Sequence, residues 1–312
     1  MRRVEYDRFG DASVLVVREV DEATPRAGEV RVRVRAAALN PKDVLLRKGR
    51  MRWLAGARFP RAVGYDFAGE VDAVGAGVSD VSVGDRVFGM LSRHGGGALA
   101  ESLVCSTHEL ALMPEGLDFQ GAAAIPLAAL TALQSLRDLG RVKHDDRVLI
   151  NGASGGVGVF AIQIARTLGA RVSTLSSAAN MELCLSLGAI EALDYAVASP
   201  YDEPRWDCVF DAFGNRSFGA VRPSLTALGT YVTTVPSARN VIDHARTALG
   251  FPRARLVVVE SRRSDLEHLA QWVTAGFLKP VIDSVFDLDH AADAQRRIET
   301  RRARGKVVVR VG

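Results

Sequence analysis

The stretch Asn151-Gly-Ala-Ser-Gly-Gly-Val-Gly158 directly follows the apolar run Arg147-Val-Leu-Ile150. A buried strand that feeds a glycine-rich turn, and a helix of period 3.6 that starts from it, is the arrangement that holds a dinucleotide. The pyrophosphate rests against the helix's free N–H groups and positive dipole end. In the G-x-G-x-x-G frame, Ala153 takes the place of the first glycine, followed by Ser154, Gly155, Gly156, Val157 and Gly158. Gly155 lets the backbone approach a pyrophosphate, and Gly158 lets the helix pack closely on the sheet. Around this loop strands and helices alternate. Strand Arg147–Asn151 leads to a helix over 157–168, strand 171–175 to a helix over 180–187, and strand 208–212 to a helix over 218–228, with strand 230–235 after it. Such alternation predicts a parallel, doubly wound sheet.

The end of the second strand decides between dinucleotides. An NAD site usually carries an acid there, bonded to the ribose 2′-OH. Here the strand ends in Ser176-Ser177. Hydroxyls bond a 2′-phosphate that a carboxylate would repel, so NADPH is favoured. No Arg or Lys follows at 178–180, Ala-Ala-Asn180, so NADH stays possible.

Residues 1–118 have a different texture. Glu29-Val-Arg-Val-Arg-Val-Arg35 alternates strictly, the mark of a half-buried strand with valines inward. Short strands broken by glycine turns follow at 71–77 and 81–89, which predicts a barrel-like β unit. An alanine-rich apolar stretch, 121–136, reads as buried helix. The chain ends in a helix over 291–302 and a strand over 306–311.

Composition narrows the classes. Hydrophobic residues make up 48% and charged residues 24% of the chain, an ordinary globular balance. A net charge of +4 with only 6% aromatics argues against a nucleic-acid binder. Cys105, Cys184 and Cys208 form no C-x-x-C pair, so a disulfide framework is not expected. With no apolar leader and no long apolar span, a cytoplasmic protein with no membrane partner is expected.

The motifs in order, AAALNPKDVLLRKG (36–49), VGYDFAGEVDAVGAGV (63–78), GDRVFG (84–89), GGGALAES (95–102), NGASGGVGVFAIQIARTLGA (151–170), WDCVFDAFG (206–214) and GKVVV (305–309), resemble the medium-chain dehydrogenase/reductase superfamily, in its zinc-independent quinone oxidoreductase-like branch. The resemblance implies an α/β chain with a GroES-like β-rich catalytic domain, 1–119 completed by 279–312, and a Rossmann domain, 120–278. Cofactor and substrate would meet between them. It also implies a homodimer through the Rossmann sheet edge, for which 256–260 is the candidate strand.

Zinc-dependent relatives place Cys at the position of Asn40 and His-Glu at Tyr65-Asp66. Zinc needs about three N/S ligands and an open position, so no metal is expected, and His94 alone does not make a site. The matched positions name Asn40, Tyr65 and Lys42 as catalytic candidates. The Asn40 amide is a candidate hydrogen-bond partner of a substrate carbonyl; Tyr65 and Lys42 are candidate proton donors. Trp53 and Phe59 are expected in the substrate pocket. Thr131, Asn180, Tyr195, Phe213 and Gly214 join the loop, Ser176 and Ser177 as cofactor-binding candidates.

Without a Lewis acid, hydride transfer to an acceptor that spreads its own developing charge is the suited chemistry. The expected function is NADPH-dependent reduction of a small-molecule quinone or activated C=C of an enone. A pathway-specific enoyl reductase and a non-catalytic NADPH-binding redox sensor are the alternatives.

Overall fold

The computed structural model describes residues 1–52, 56, 58–92 and 96–312. Trp53 and His94 lie outside the described residues. The chain divides into two compact units, Met1–Ala128 with Glu260–Gly312, and Ala129–Val259. These divisions differ from the boundaries expected at 119/120 and 278/279. The second differs because the helix Arg263–Thr274 packs on the first unit's strand Leu110–Leu112.

The first unit begins with β1 (Arg2–Tyr6), β2 (Val16–Glu19), β3 (Glu29–Leu39), β4 (Arg61–Ala62), β5 (Asp66–Val74), β6 (Arg86–Met90), β7 (Ser102–Ser106) and β8 (Leu110–Leu112). β2, β1 and β4 form a small antiparallel sheet. β3 is the long central strand of the larger one, pairing with both β5 and β7. Its alternation is realised: Val30, Val32 and Val34 are buried. The intervening arginines face out, Arg31 to Asp72 at 2.8 Å and Arg35 to Glu70 at 2.7 Å across the β3–β5 pair. Two irregularities, at Arg31/Val32 and Val34/Ala36, interrupt that pairing.

The second unit holds β9 (Arg147–Asn151), β10 (Arg171–Ser176), β11 (Glu191–Asp194), β12 (Trp206–Asp211), β13 (Leu225–Thr233) and β14 (Arg253–Leu256), all parallel in the order β11-β10-β9-β12-β13-β14. The order reverses beside β9, the doubly wound Rossmann topology. Helices Gly158–Thr167 and Met181–Ser186 lie where the periodicity put them, each shorter at its ends. The helix expected over 218–228 is corrected. It stops at Val221, because Pro223 cannot continue it, and Leu225 already starts β13. The edge strand expected over 256–260 instead occupies Arg253–Leu256, after which only Val257 still donates to β13, through Thr233.

The chain returns to the first unit with β15 (Ile282–Asp287) and β16 (Lys306–Arg310). β16 lies between β15 and β3 in the larger sheet. The last strand of the sequence is thus an interior strand of the first unit. No described helix is long and apolar enough to cross a membrane.

Candidate functional site

Three strands of the first unit's sheet terminate together. β3 ends at Leu39, β5 begins at Asp66 and β16 begins at Lys306, and antiparallel pairing places all three at one end of the sheet. Asn40, the residue after β3, therefore meets both Asp66 and Lys306. The Lys306 ammonium donates to Asn40 Oδ1 at 2.6 Å and to Asp66 Oδ2 at 2.9 Å, and Asn40 Nδ2 donates to Asp66 Oδ2 at 3.0 Å. The other carboxylate oxygen of Asp66 accepts the Leu127 N–H at 2.7 Å, at the start of the helix Pro126–Leu133. A carboxylate belongs there, where free N–H groups and the helix dipole favour negative charge. Lys306 and Asp66 are 2% and 0% exposed, so each charge depends on the other.

Asp43 is a second buried carboxylate close by. It accepts the backbone N–H of Asn40 at 2.7 Å and that of Gly64 at 3.1 Å, which joins the helix Pro41–Arg47 to the loop before Tyr65. Burial pushes its pKa up to about 6, and the two N–H donors oppose that. Tyr65 is buried, and burial, with the nearby Asp43 charge, raises its hydroxyl above the ordinary tyrosine value. Lys42 lies half-buried with Nζ 3.9 Å from the Tyr65 ring centroid, a cation–π contact. Burial lowers its pKa; the charges of Asp43 and Asp66 work the other way. The expected candidates Asn40, Lys42 and Tyr65 are thus gathered in one cluster. Asn40, however, has both ends of its amide engaged by protein groups, so its role is first to hold the network. Phe59 packs edge-on against Phe9 at 5.0 Å and Tyr6 at 6.0 Å.

In the second unit the loop after β9 shows why an alanine at 153 is compatible with it. The residue in the left-handed region is Gly152, φ +76°, one place earlier, and its N–H reaches Leu175 of β10 at 3.1 Å. A Cβ on Gly158 would lie 2.3 Å from the Gly152 carbonyl oxygen and 2.5 Å from that of Ala153, so only glycine lets the helix start so close to the turn. A Cβ on Gly155 would meet nothing nearer than 3.4 Å, which leaves open space above the backbone. Asn180 Nδ2 donates to Ser154 Oγ at 2.9 Å, while Asn180 Oδ1 is buried with no partner. An orphaned polar atom beside an open glycine turn fits a polar ligand seated there. Ser176 is buried and turns its hydroxyl inward to the Ser177 carbonyl at 3.2 Å; Ser177 is the half-exposed one of the pair. The exposed Tyr195 stands beside them, its N–H donating to the Ser176 carbonyl at 3.0 Å. Thr131 is buried on the helix Pro126–Leu133.

The turn Phe213-Gly214-Asn215 is built on Asp211, a fully buried carboxylate at the end of β12. It accepts from Asn151 Nδ2 at 2.7 Å, the Gly214 N–H at 2.8 Å, the Arg216 N–H at 2.9 Å and the Tyr231 hydroxyl at 3.1 Å. No local pattern in the sequence marks Lys306 or Asp211 as an anchor. One signal for Lys306 was present: the 40 basic residues comprise only five lysines against thirty-five arginines. At 306 a compact ammonium fits between the Asn40 amide and the Asp66 carboxylate.

With this geometry in hand, comparisons place the chain. The family profile of the alcohol dehydrogenase GroES-like domain matches residues 26–115, and that of the zinc-binding dehydrogenase matches residues 187–309. The chain is 33% identical to the chloroplast envelope quinone oxidoreductase homolog of Arabidopsis thaliana, over 99% of this chain and 98% of that one. It is also 33% identical to the NADPH-dependent alkenal/one oxidoreductase of the same plant, over 99% and 79%. The quinone oxidoreductase from Coxiella burnetii superposes with a TM-score of 0.92 at 31% identity, covering 100% and 99%. The protein belongs to the medium-chain dehydrogenase/reductase superfamily, in its quinone-oxidoreductase-like branch.

Two outcomes follow. Replacing Lys306 with Met leaves the Asp66 carboxylate buried and unpaired, at a cost of about 3–5 kcal/mol; urea unfolding of K306M against the parent measures it. Asp43 titrates higher in the folded chain than in the unfolded one, so it contributes stability at low pH that is lost as pH rises towards about 6. Stability of the parent relative to D43N therefore falls across pH 4 to 6; a flat difference would contradict this.

Proposed function

We propose that the protein is an NADPH-dependent, metal-independent reductase of quinones or of the activated C=C of enones. The observation that carries this reading is the carboxyl end of β9 and β10. A glycine turn with open space over Gly155 stands there beside Ser177, Asn180 and Tyr195, with hydroxyl and amide groups where an NAD site carries an acid. Backbone of Gly155–Gly158 would hold the pyrophosphate, and Ser154, Ser177, Asn180 and Tyr195 the adenosine end. Bound there, NADPH supplies a hydride to an acceptor whose own conjugation spreads the arriving charge.

Two groups of the first unit belong to this reading. Tyr65 stays protonated through the neutral range, because burial makes it a weaker acid, and offers its hydroxyl as a hydrogen-bond donor. Lys42, with its ammonium made more acidic by burial, releases a proton from Nζ more readily than an ordinary lysine. The residues do not fit zinc. At the positions of zinc ligands stand an amide, a phenol and a carboxylate, and the Lys306 ammonium already lies between Asn40 and Asp66. The relatives support the substrate class: one carries quinone and the other alkenal/one in its name.

A homodimer through β14 is part of the same proposal. That strand ends its sheet, and the exposed apolar residues Val241, Ile242 and Val258 belong to the helix beside it and to the segment after it. Light scattering should give twice the chain mass; a monomer at micromolar concentration would count against it.

Initial rates of NADPH and NADH oxidation against quinones and α,β-unsaturated ketones, with and without chelator, test the activity. Chelator-insensitive turnover with preference for NADPH is expected. Ser177→Asp should weaken that preference at least about tenfold, roughly 1.4 kcal/mol. NADPH binding without turnover on any acceptor would favour a sensor instead.

A further inference from the structure

The first unit holds a cavity of about 430 Å³, a volume usual for a small-molecule site. All of its lining among the described residues belongs to that unit. β1 contributes Arg3 and Glu5, and the segment that runs into β4 contributes Arg58, Pro60, Arg61 and Ala62. Gly96, Gly97 and the β7 residues Leu103 and Val104 form a further wall. Gly96 keeps its part of that wall free of a side chain: its φ is +62°, and a Cβ there would stand 2.6 Å from the Gly64 carbonyl oxygen.

Three arginines and one carboxylate line this space. The carboxylate is already engaged. Glu5, 2% exposed, accepts Arg3 Nε at 2.8 Å and lies 3.8 Å from Arg18 Nη1. The lining therefore keeps a positive surplus. Arg61 is buried, and its Nη1 donates to the Gly56 carbonyl at 3.0 Å, an acceptor that fixes the guanidinium without cancelling its charge. Arg58 is exposed and forms no ion pair among the described residues. Much of the remaining wall is apolar, with Pro60, Ala62, Leu103 and Val104. A guanidinium takes a carboxylate through two parallel N–H bonds, and an apolar wall takes a hydrocarbon body.

We propose that this cavity binds a small organic carboxylate, its oxygens towards Arg58 and Arg61 and its apolar body along Pro60, Ala62, Leu103 and Val104. A bare phosphate would meet the guanidinium groups but leave the apolar wall unused. A neutral molecule of the same shape would leave the positive surplus unanswered. Arg61 and Ala62 also line a small cavity with Asp43 and Tyr65, so the bound carboxylate lies one side chain away from the hydroxyl that the proposed reductase uses. Binding itself does not depend on the reductase reading.

The test is a calorimetric titration of the full chain, without cofactor, with benzoate, benzamide and inorganic phosphate. Benzoate should bind at least about tenfold more tightly than benzamide, its neutral counterpart of the same shape, and at least about tenfold more tightly than phosphate. Arg58→Glu, a change at an exposed position, should weaken benzoate at least about tenfold. Arg302→Glu, at another exposed arginine of the same unit, should leave it unchanged. Benzoate should also shift the backbone amide resonances of Ala62, Gly97 and Val104. Equal binding of benzamide or phosphate, no binding of benzoate at millimolar concentration, an equal loss in Arg302→Glu, or shifts confined to residues outside the cavity would each overturn the proposal. NADPH oxidation is measured separately, and its absence counts against the reductase reading alone.

Discussion

The contact between the Lys306 ammonium and the Asp66 carboxylate, 2.9 Å apart in a site closed to water, is the constraint around which the first unit is organised. Two buried charges recover their lost hydration only when geometry is good and the remaining donors and acceptors are filled. Here they are filled from three directions: the Asn40 amide, the Leu127 N–H and the strand ends themselves. The pair joins the last strand of the sequence to strands formed some 240 residues earlier. An apolar replacement of the pair would not single out one alignment of β16, β3 and β5.

The second unit uses the same device without a cation. Asp211 takes four hydrogen bonds, and so fixes the turn after β12 and the Asn151 side chain at the end of β9 together. Asp43 takes two backbone N–H groups in the first unit. In each case a short carboxylate organises chain that has no regular secondary structure. Backbone donors in such loops must find a partner once buried. The carboxylates differ in their surroundings: burial moves Asp43 up to about 6, and Tyr65 and Lys42 lie beside it.

Much of the fold was legible in the sequence because its signals are local. The strand before Asn151, the glycine turn and the Val157–Leu168 periodicity each follow from neighbouring residues, as does the Val/Arg alternation of β3. Pro223 is an equally local signal, and the helix expected over 218–228 ends before it, at Val221. The candidate site was legible only in part. Asn40, Lys42 and Tyr65 were reached through resemblance, whereas their engagement with Lys306 depends on a pairing across the whole chain that no window of sequence contains. Ser176 and Ser177 looked equivalent on paper. Ser176, the last residue of β10, is buried like the four before it, and Ser177, just past the strand, is half-exposed, a distinction set by where β10 ends.

The ion pairs on the outer face of β3 bear on how the sheet is assembled. Between Arg31 and Arg35 the β3–β5 pairing is twice irregular, so in–out alternation alone does not tell the strand where it stands relative to its neighbour. Arg31 finds Asp72 on one side of the irregular stretch and Arg35 finds Glu70 on the other. A slip of one residue would set arginines against the core and break both contacts at once. These half-buried ion pairs act as fiducial marks for the sheet: only one alignment of β5 on β3 satisfies both.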